Sequence, residues 1–138
     1  MTPAAPAAFA LTITARAADI DELGHVNNAV WVRWLQDVAT AHWTAVAAPE
    51  HVAAYLWVVV RHEIDYARPL LAGQSVTART WVDGPPRGAK FDRRVDFTGA
   101  DGRLHVSART TWAIVDKASG RALRVPAAVA APFMAGGA

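Results

Sequence analysis

Ten consecutive residues, Asp19–Asn28, hold the densest set of reactive side chains in this sequence. They read Asp-Ile-Asp-Glu-Leu-Gly-His-Val-Asn-Asn and lie between two apolar segments. A carboxylate such as Asp21 can attack a carbonyl or activate a water, and a neighbouring imidazole such as His25 can orient or polarise the reacting group. The same residues could instead be a solvated acidic loop before a well-capped helix. Capping needs only one asparagine, however, and does not explain why Asp21 and His25 occur together.

A helix is predicted to begin where this stretch ends, with Asn27 as its N-cap. The Asn27 side chain would then accept from a donor one or two residues beyond Asn28, which leaves the Asn28 N–H free to bind an oxyanion. The positive end of the helix dipole favours an ionised Asp21. A carboxylate beside an oxyanion site suits an easy acyl transfer. A thioester fits best, because its leaving thiol has a pKa of roughly 8.5 and needs little acid assistance.

Other site chemistries lack their motifs. The chain has no cysteine, which excludes disulfides, thiolate nucleophiles and thiolate metal sites. It has no Gly-x-Ser-x-Gly elbow, no His-Glu-x-x-His pair and no glycine-rich phosphate loop. Asp19, Asp21 and Glu22 could hold a hard cation, but no further oxygen ligands lie nearby. We therefore expect neither a metal nor a cofactor.

The elements around this stretch follow from hydrophobic periodicity. Phe9 to Ala15 alternates as a half-buried strand does, and an almost entirely apolar helix is predicted from about Asn28 to about Ala47. Pro49 is expected to close the helical region, with only β structure after it. His42 falls on the apolar side of the helix and is expected to be a core histidine rather than a ligand. The polar residues of the helix form one narrow stripe: Arg33, Gln36, Asp37, Thr40 and Thr44.

Four further strands are predicted, over Tyr55–Tyr66, Ser75–Val82, Lys90–Thr98 and from Leu104 to Ile114, with a hairpin signal at Asp101-Gly102. In the third of these, alternate residues should face inward (Phe91, Val95, Phe97) or outward (Lys90, Asp92, Arg94, Asp96). An apolar helix needs covering and an antiparallel sheet has one face to cover. The sequence therefore predicts one α+β domain over 1–138, a curved five-stranded antiparallel sheet around a long central helix, with residues 1–8 and 134–138 flexible.

Composition limits the partners. Hydrophobic residues make up 53% of the 138 residues, and this surplus, with the unpaired edges of a five-stranded sheet, predicts a homo-oligomer. The net charge is only +2 and the basic residues are dispersed, which argues against nucleic acid. The Ala/Pro-rich start lacks a basic segment, and no apolar run is long enough for a membrane span. We therefore expect a cytoplasmic protein that has no membrane partner.

The Asp19–Asn28 stretch and its continuation, Ala-Val-Trp-Val-Arg-Trp-Leu, resemble the signature of hotdog-fold acyl-CoA thioesterases of the 4-hydroxybenzoyl-CoA thioesterase type. The Asp-x-x-Gly-His-Val-Asn-Asn core is also similar to that of plant acyl-ACP thioesterases. The resemblance continues through 63–66, Pro69-Leu70 and Gly73, and it ends near Val125-Pro126.

This resemblance implies a hotdog-fold thioester hydrolase acting on acyl-CoA or acyl-ACP. It also implies a homodimer with a continuous sheet, or a homotetramer, with active sites at the subunit boundary. Asp21 would be the catalytic carboxylate, the helix start at Asn28 the oxyanion site, and His25 and Asn27 orienting neighbours. In this sequence a tryptophan and a glutamine, at positions 31 and 36, stand where the family usually has tyrosine and glutamate.

Two alternatives remain. A non-catalytic acyl-CoA-binding hotdog protein would not need the Asp21 carboxylate. A hotdog dehydratase or hydratase would share Gly24-His25 only superficially, since the Val-Asn-Asn that follows is not typical of that class.

Overall fold

The computed structural model describes residues 8–134, in which a five-stranded sheet curves around one long helix. The ends expected to be flexible were 1–8 and 134–138, of which 1–7 and 135–138 lie outside the described residues. The strands are β1 (Phe9–Thr14), β2 (Tyr55–Tyr66), β3 (Ser75–Val82), β4 (Lys90–Gly99) and β5 (Leu104–Asp116). The helices are α1 (Asn28–Val46), α2 (Pro49–Ala54) and α3 (Ala127–Ala130), with single 3-10 turns at Ala17–Asp19 and Ala131–Phe133.

The sheet has the strand order β1-β3-β4-β5-β2, and every neighbouring pair is antiparallel. The β4–β5 hairpin turns at the predicted Asp101-Gly102, where Gly102 has a φ of 79°. β1 and β2 are the two edge strands, and the β2–β5 register shifts between Val59 and Arg61. The α+β prediction of a helix enclosed by a five-stranded antiparallel sheet is therefore confirmed.

α1 packs against the sheet through one face of its surface. The predicted polar stripe is the solvent-exposed side of the helix. His42 is only 1% exposed and its ring stacks on that of Phe9, with centroids 5.2 Å apart, so the prediction of a core histidine is confirmed. The buried residues of α1 are Trp31, Trp34, Leu35, Val38, Ala39 and His42.

Two details differ from the sequence-based expectations. Pro49 does not close the helical region: it opens α2, because a proline at the first helical position lacks only an N–H that would have no partner there. Asp92 lies on the outer face of the sheet as predicted, yet it is 1% exposed. Side chains of Arg87, Arg109 and Thr111 donate to its carboxylate and cover it.

Candidate active site

The segment before α1 forms a tight turn that holds the Asp21 carboxylate. Its Oδ1 atom accepts hydrogen bonds from the backbone N–H groups of Leu23 (2.9 Å) and His25 (3.3 Å). The Asp21 N–H donates to the His25 carbonyl (2.8 Å), and the Gly24 N–H donates to the Asp21 carbonyl (3.0 Å). Gly24 has a φ of 81°, which glycine adopts without strain. Within residues 8–134 no group donates to Oδ2 of Asp21, so this oxygen is available to a ligand.

The start of α1 supplies a backbone donor. Asn27 is the N-cap as predicted, and its Oδ1 accepts from the Ala29 N–H at 2.8 Å. The Val30 N–H donates to the Asn27 carbonyl at 2.9 Å. The Asn28 N–H has no acceptor among the described residues. A free N–H at the positive end of a 19-residue helix is suited to binding negative charge.

Asp19 has a different environment from Asp21. Its Oδ1 accepts from Arg33 Nη2 (2.9 Å) and its Oδ2 from the Arg16 N–H (2.9 Å). The hydrogen bond from the Arg16 backbone, opposed by burial and reinforced by Arg33, lowers the pKa of Asp19. The Asp19 carbonyl also accepts from the Asn27 N–H at 2.9 Å. Asp19 therefore ties the turn to α1 and braces the N-cap, with both carboxylate oxygens engaged.

All four residues predicted as site residues, Asp21, His25, Asn27 and Asn28, line one cleft of about 370 Å³. Asp21 and His25 are half-buried at its wall, and Leu23 is 79% exposed beside them. The remaining lining comes from the helix and from the end of β2. These residues are Val26, Trp31, Tyr66, Ala67, Arg68 and Pro69.

Tyr66 and Arg68 were not among the predicted site residues. Tyr66 Oη donates to the Asn28 carbonyl at 3.3 Å, and burial raises the pKa of this tyrosine. Arg68 Nη1 pairs with Asp101 at 3.1 Å while also lining the cleft. The signal in the sequence was the continued family resemblance through 63–66, which includes Tyr66, and Pro69, which follows Arg68 directly.

Of the two residues that depart from the family pattern, Trp31 lines the cleft and Gln36 does not. Trp31 lines the cleft and is 2% exposed. Its ring contacts Trp34 and Phe97 edge-on, with centroids 5.0 and 5.1 Å apart. Gln36 is exposed and does not line the cleft. The tryptophan therefore shapes the inner wall of the cleft, whereas the glutamine is not one of the lining residues.

The acidic turn offers little to a hard cation. Both oxygens of Asp19 are committed to Arg16 and Arg33, so they cannot join Asp21 around an ion without breaking those bonds. In residues 8–134 no group of three or more histidine or acidic side chains is arranged to hold a metal. None of the helices in the same range has both the length and the apolarity needed to cross a membrane.

Comparison with known proteins identifies the family. The model of the thioesterase-like superfamily matches residues 15–133. A predicted thioesterase from Bacillus stearothermophilus is 21% identical over 92% of this chain and 94% of that one, with a TM-score of 0.80. A Thermus thermophilus thioesterase complexed with coenzyme A and Zn is 23% identical over 90% of each chain, with a TM-score of 0.77.

A Staphylococcus aureus hypothetical protein in complex with CoA is 16% identical over 94% of this chain and 84% of that one, with a TM-score of 0.79. Curated proteins give no significant match. The family model spans most of the chain, and the structural likeness gives the same fold. This chain therefore belongs to the thioesterase-like superfamily and is a hotdog-fold thioester hydrolase.

Proposed function

We propose that the protein hydrolyses acyl-CoA thioesters in the cleft at the start of α1. In this proposal Asp21 is the catalytic carboxylate, the Asn28 N–H is the oxyanion donor, and His25 and Asn27 orient the reacting groups. One observation carries it. A carboxylate oxygen of Asp21 and the N–H of Asn28 both lack a hydrogen-bond partner in residues 8–134, and both residues line the same cleft. Acyl transfer requires a carboxylate that can act on the substrate and an N–H donor that can bind the oxyanion, close to each other.

The proposed reaction uses few groups. Asp21 Oδ2 takes a proton from a water as that water attacks the thioester carbonyl, or it attacks the carbonyl itself and water then hydrolyses the mixed anhydride. The carbonyl oxygen becomes an oxyanion, which the Asn28 N–H and the helix dipole stabilise. The C–S bond then breaks and the thiolate leaves with little acid assistance, because its conjugate acid has a pKa of roughly 8.5.

The surrounding residues support these roles. Two backbone hydrogen bonds hold Asp21 Oδ1, so the carboxylate reaches the substrate in a defined orientation rather than as a mobile side chain. The Ala29 N–H donates to the Asn27 side chain, so it does not bind the substrate. The Asn28 N–H is then the donor available to the oxyanion. The His25 imidazole has no hydrogen-bond partner among the described residues, so it is free to contact substrate or water.

Coenzyme A is the preferred carrier in this proposal. Two similar structures, those from T. thermophilus and S. aureus, are complexes with coenzyme A. Arg68 adds a cation to the cleft wall, where it can meet a phosphate of the carrier. Acyl-ACP carries the same thioester and is the competing carrier in the test below.

We propose that the protein assembles through β2 as a homodimer, or as a homotetramer built from such dimers. β2 is an edge strand, so one row of its backbone groups lacks a partner strand in residues 8–134. Its outer face exposes Leu56, Val58 and Val60 by 40%, 43% and 50%. Light scattering should give a mass of at least twice 14.7 kDa, and Val58→Lys should lower it. A fully active monomer would contradict this assembly.

A panel of acyl-CoA thioesters tests the proposed substrate class. The acyl groups should span aromatic acids and short to long aliphatic chains, with released thiol trapped by a dye. We expect thiol release with at least one acyl-CoA, and release about 10²–10⁴-fold slower with folded Asp21→Asn protein. The same acyl group on ACP separates the two carriers. If only acyl-ACP is cleaved, the carrier assignment is wrong, and if nothing is cleaved, the proposed substrate class is wrong.

A further inference from the structure

A second cavity, of about 320 Å³, lies against the C-terminal half of α1. It shares no lining residue with the Asp21 cleft. Its α1 residues, Ala39 to Thr44, follow Asn28 by about three to four helical turns, which places it roughly 20 Å along the helix. Its walls are mainly aromatic, from Trp43, Tyr55, Trp57, Phe91, Trp112 and Phe133.

A buried arginine also lines this cavity. Arg93 lies in the helix-facing row of β4 and is 8% exposed. Its Nη1 donates to Thr80 Oγ1 (2.9 Å) and lies 2.8 Å from His42 Nδ1. Its Nε and Nη2 have no acceptor among the described residues, and no carboxylate in that range lies within 4.0 Å of the guanidinium. The neighbouring Asp92 is already bound by arginines on the other face of the sheet.

Neither partner of Arg93 neutralises its charge. Burial, together with the nearby Arg93 charge, lowers the pKa of His42 to about 4, so this histidine is neutral at pH 7. Its Nδ1 atom accepts a hydrogen bond from Arg93 Nη1. Burial lowers the pKa of Arg93 to about 10, which still leaves it charged at pH 7. A buried charge without a counter-ion is strongly unfavourable, and a sequence with no use for it would be expected to have an apolar residue here.

The polar groups at this cavity include one carboxylate as well as N–H donors. Asp92 is a lining residue, but its carboxylate oxygens already accept from Arg87, Arg109 and Thr111. Trp112 lines it, and the indole N–H of this tryptophan is buried with no acceptor in residues 8–134. Lys117 adds an exposed cation to the lining, with Nζ bonded only to the Val52 carbonyl among the described residues. The cavity therefore combines aromatic walls with two cations, Arg93 and Lys117, and Arg93 has N–H donors without an acceptor in residues 8–134.

We propose that this cavity binds a small aromatic carboxylate, with its ring among the aromatic walls and its carboxylate on the free edge of Arg93. A guanidinium presents two parallel N–H groups that match a carboxylate. A volume of about 320 Å³ is at the small end of ligand sites and suits a single-ring acid. The site is separate from the thioester cleft and does not depend on the function proposed for that cleft.

Two sources can supply such an acid. Thioester hydrolysis releases a carboxylate, so an aromatic product of the enzyme's own reaction has the required chemistry. A separate aromatic acid has it as well. If an acid released from a cleaved acyl-CoA binds more tightly than phenylacetate, the site senses product. If phenylacetate binds more tightly, the site takes a separate acid.

Calorimetric titration and thermal shift with phenylacetate test the site, with neutral phenylacetamide as the matched ligand. Phenylacetate should raise Tm in a dose-dependent way, because it binds only the folded state. Phenylacetamide should bind at least tenfold more weakly. Equal binding of acid and amide would mean an apolar cavity without anion recognition. If none of the tested acids binds, the proposal is wrong. That result would not bear on the thioester assay, which tests the other cleft.

Three variants localise the binding. Arg93→Met should lose phenylacetate affinity at least tenfold and keep or raise Tm, since the uncompensated charge is removed. Arg79→Met, at an exposed arginine of β3 that does not line the cavity, should bind as the parent does. If Arg93→Met does not fold, Thr40→Trp, at an exposed lining position of α1, should block the cavity and reduce binding to the same extent. Unchanged affinity in the folded Arg93→Met or Thr40→Trp protein would contradict the site.

Discussion

The polar groups at the two ends of α1 differ in their source and in their burial. At its start, an N–H of the helix and the turn-held Asp21 carboxylate line a partly open cleft, and Asp21 is only half-buried. Along its C-terminal half, a guanidinium is buried among aromatic rings. The first N–H groups of any helix have no partner within it, whereas those further along are already bonded. A site at a helix start can therefore use the backbone, but a site beside the middle of a helix needs a side chain.

This difference has an energetic consequence. The polar groups at the helix start remain near water, so keeping them costs little stability in the absence of substrate. In the cluster of Arg93, His42 and Thr80, the guanidinium is 8% exposed, and its hydrogen-bond partners in residues 8–134 are neutral at pH 7. Changes at the first site should therefore appear mainly in activity, and changes at the second mainly in stability and its pH dependence.

The largest expected effect is on catalysis at the helix start. Asp21→Asn keeps an oxygen that can accept from Leu23 and His25 but removes the carboxylate charge. It should lower kcat by about 10²–10⁴-fold, the range expected for a positioned proton-transfer group. Melting temperature should change little or rise. Steady-state kinetics on the best substrate of the panel measures this. Comparable activity in the two folded proteins would remove the catalytic assignment.

Asp19→Asn and His25→Ala complete the series. Asp19→Asn should stay within about tenfold of the parent in kcat, because Asp19 acts on the field around the site rather than on the substrate. It should lower Tm, because a buried carboxylate bonded to Arg33 and to the Arg16 N–H is lost. His25→Ala should fall between the two aspartate variants. If Asp19→Asn loses as much activity as Asp21→Asn, the assignment of a structural role to Asp19 and a catalytic role to Asp21 is wrong.

The next largest effect is a pH dependence of stability at the other end of α1. The pKa of His42 is about 4 in the folded protein, below its ordinary value of 6.5. As pH falls from 6.5, the unfolded chain takes up this proton first, so stability is lost between pH 6.5 and 4. The loss should reach about 3 kcal/mol. Urea titrations across this range measure it.

His42→Gln is the control for that experiment, because it removes the His42 ring and should make the profile shallower. Burial also lowers the pKa of His62, so the variant should keep the part of the slope that His62 contributes below pH 6.5. The carboxylates with lowered pKa values do not interfere in this window. Burial raises the pKa of Asp92, but hydrogen bonds from Arg87, Thr111 and Arg109 outweigh it and bring the pKa to about 2. Its contribution is present above pH 3.8 and is lost as pH falls toward 2. A parent profile as flat as that of the variant would show that His42 is not held neutral by the fold.

A smaller effect is expected at the N-cap. Asn27→Ala removes the oxygen that accepts from Ala29 and should cost about 1 kcal/mol of stability. If the cap positions the oxyanion donor, kcat should fall roughly fivefold, the equivalent of about 1 kcal/mol. Asn27→Ser keeps a capping oxygen and should recover most of both losses. If serine restores stability but not kcat, the Asn27 amide itself has a role in catalysis.

The smallest expected effect is that of metal removal. The proposed oxyanion donor is a backbone N–H and the carboxylate acts on water or carbonyl directly, so EDTA should leave kcat within error of the untreated protein. Binding of phenylacetate at Arg93 should be equally insensitive. Loss of turnover on EDTA that one divalent ion restores would favour a cation at Asp21 and Glu22 instead.

Much of the fold and of the candidate site could be predicted from the sequence. The N-cap at Asn27, the start of α1, the alternation of β1 and the bounds of β2 depend on residues close together in the chain. So does the turn that holds Asp21, which needs only Gly24 and backbone groups up to His25. Such features depend on local hydrogen bonds and on the spacing of apolar side chains along the chain, and both can be read from the sequence.

Contacts between distant residues were decided only by the tertiary structure. Tyr66 and Arg68 join the Asp21 cleft because β2 ends beside the start of α1, and Arg93 meets His42 because β4 crosses beneath the same helix. Strand alternation placed Asp92 on the outer face but did not reveal that Arg87 and Arg109 cover it. Sheet order and register bring such groups together, and a shift of one residue would turn each side chain to the other face.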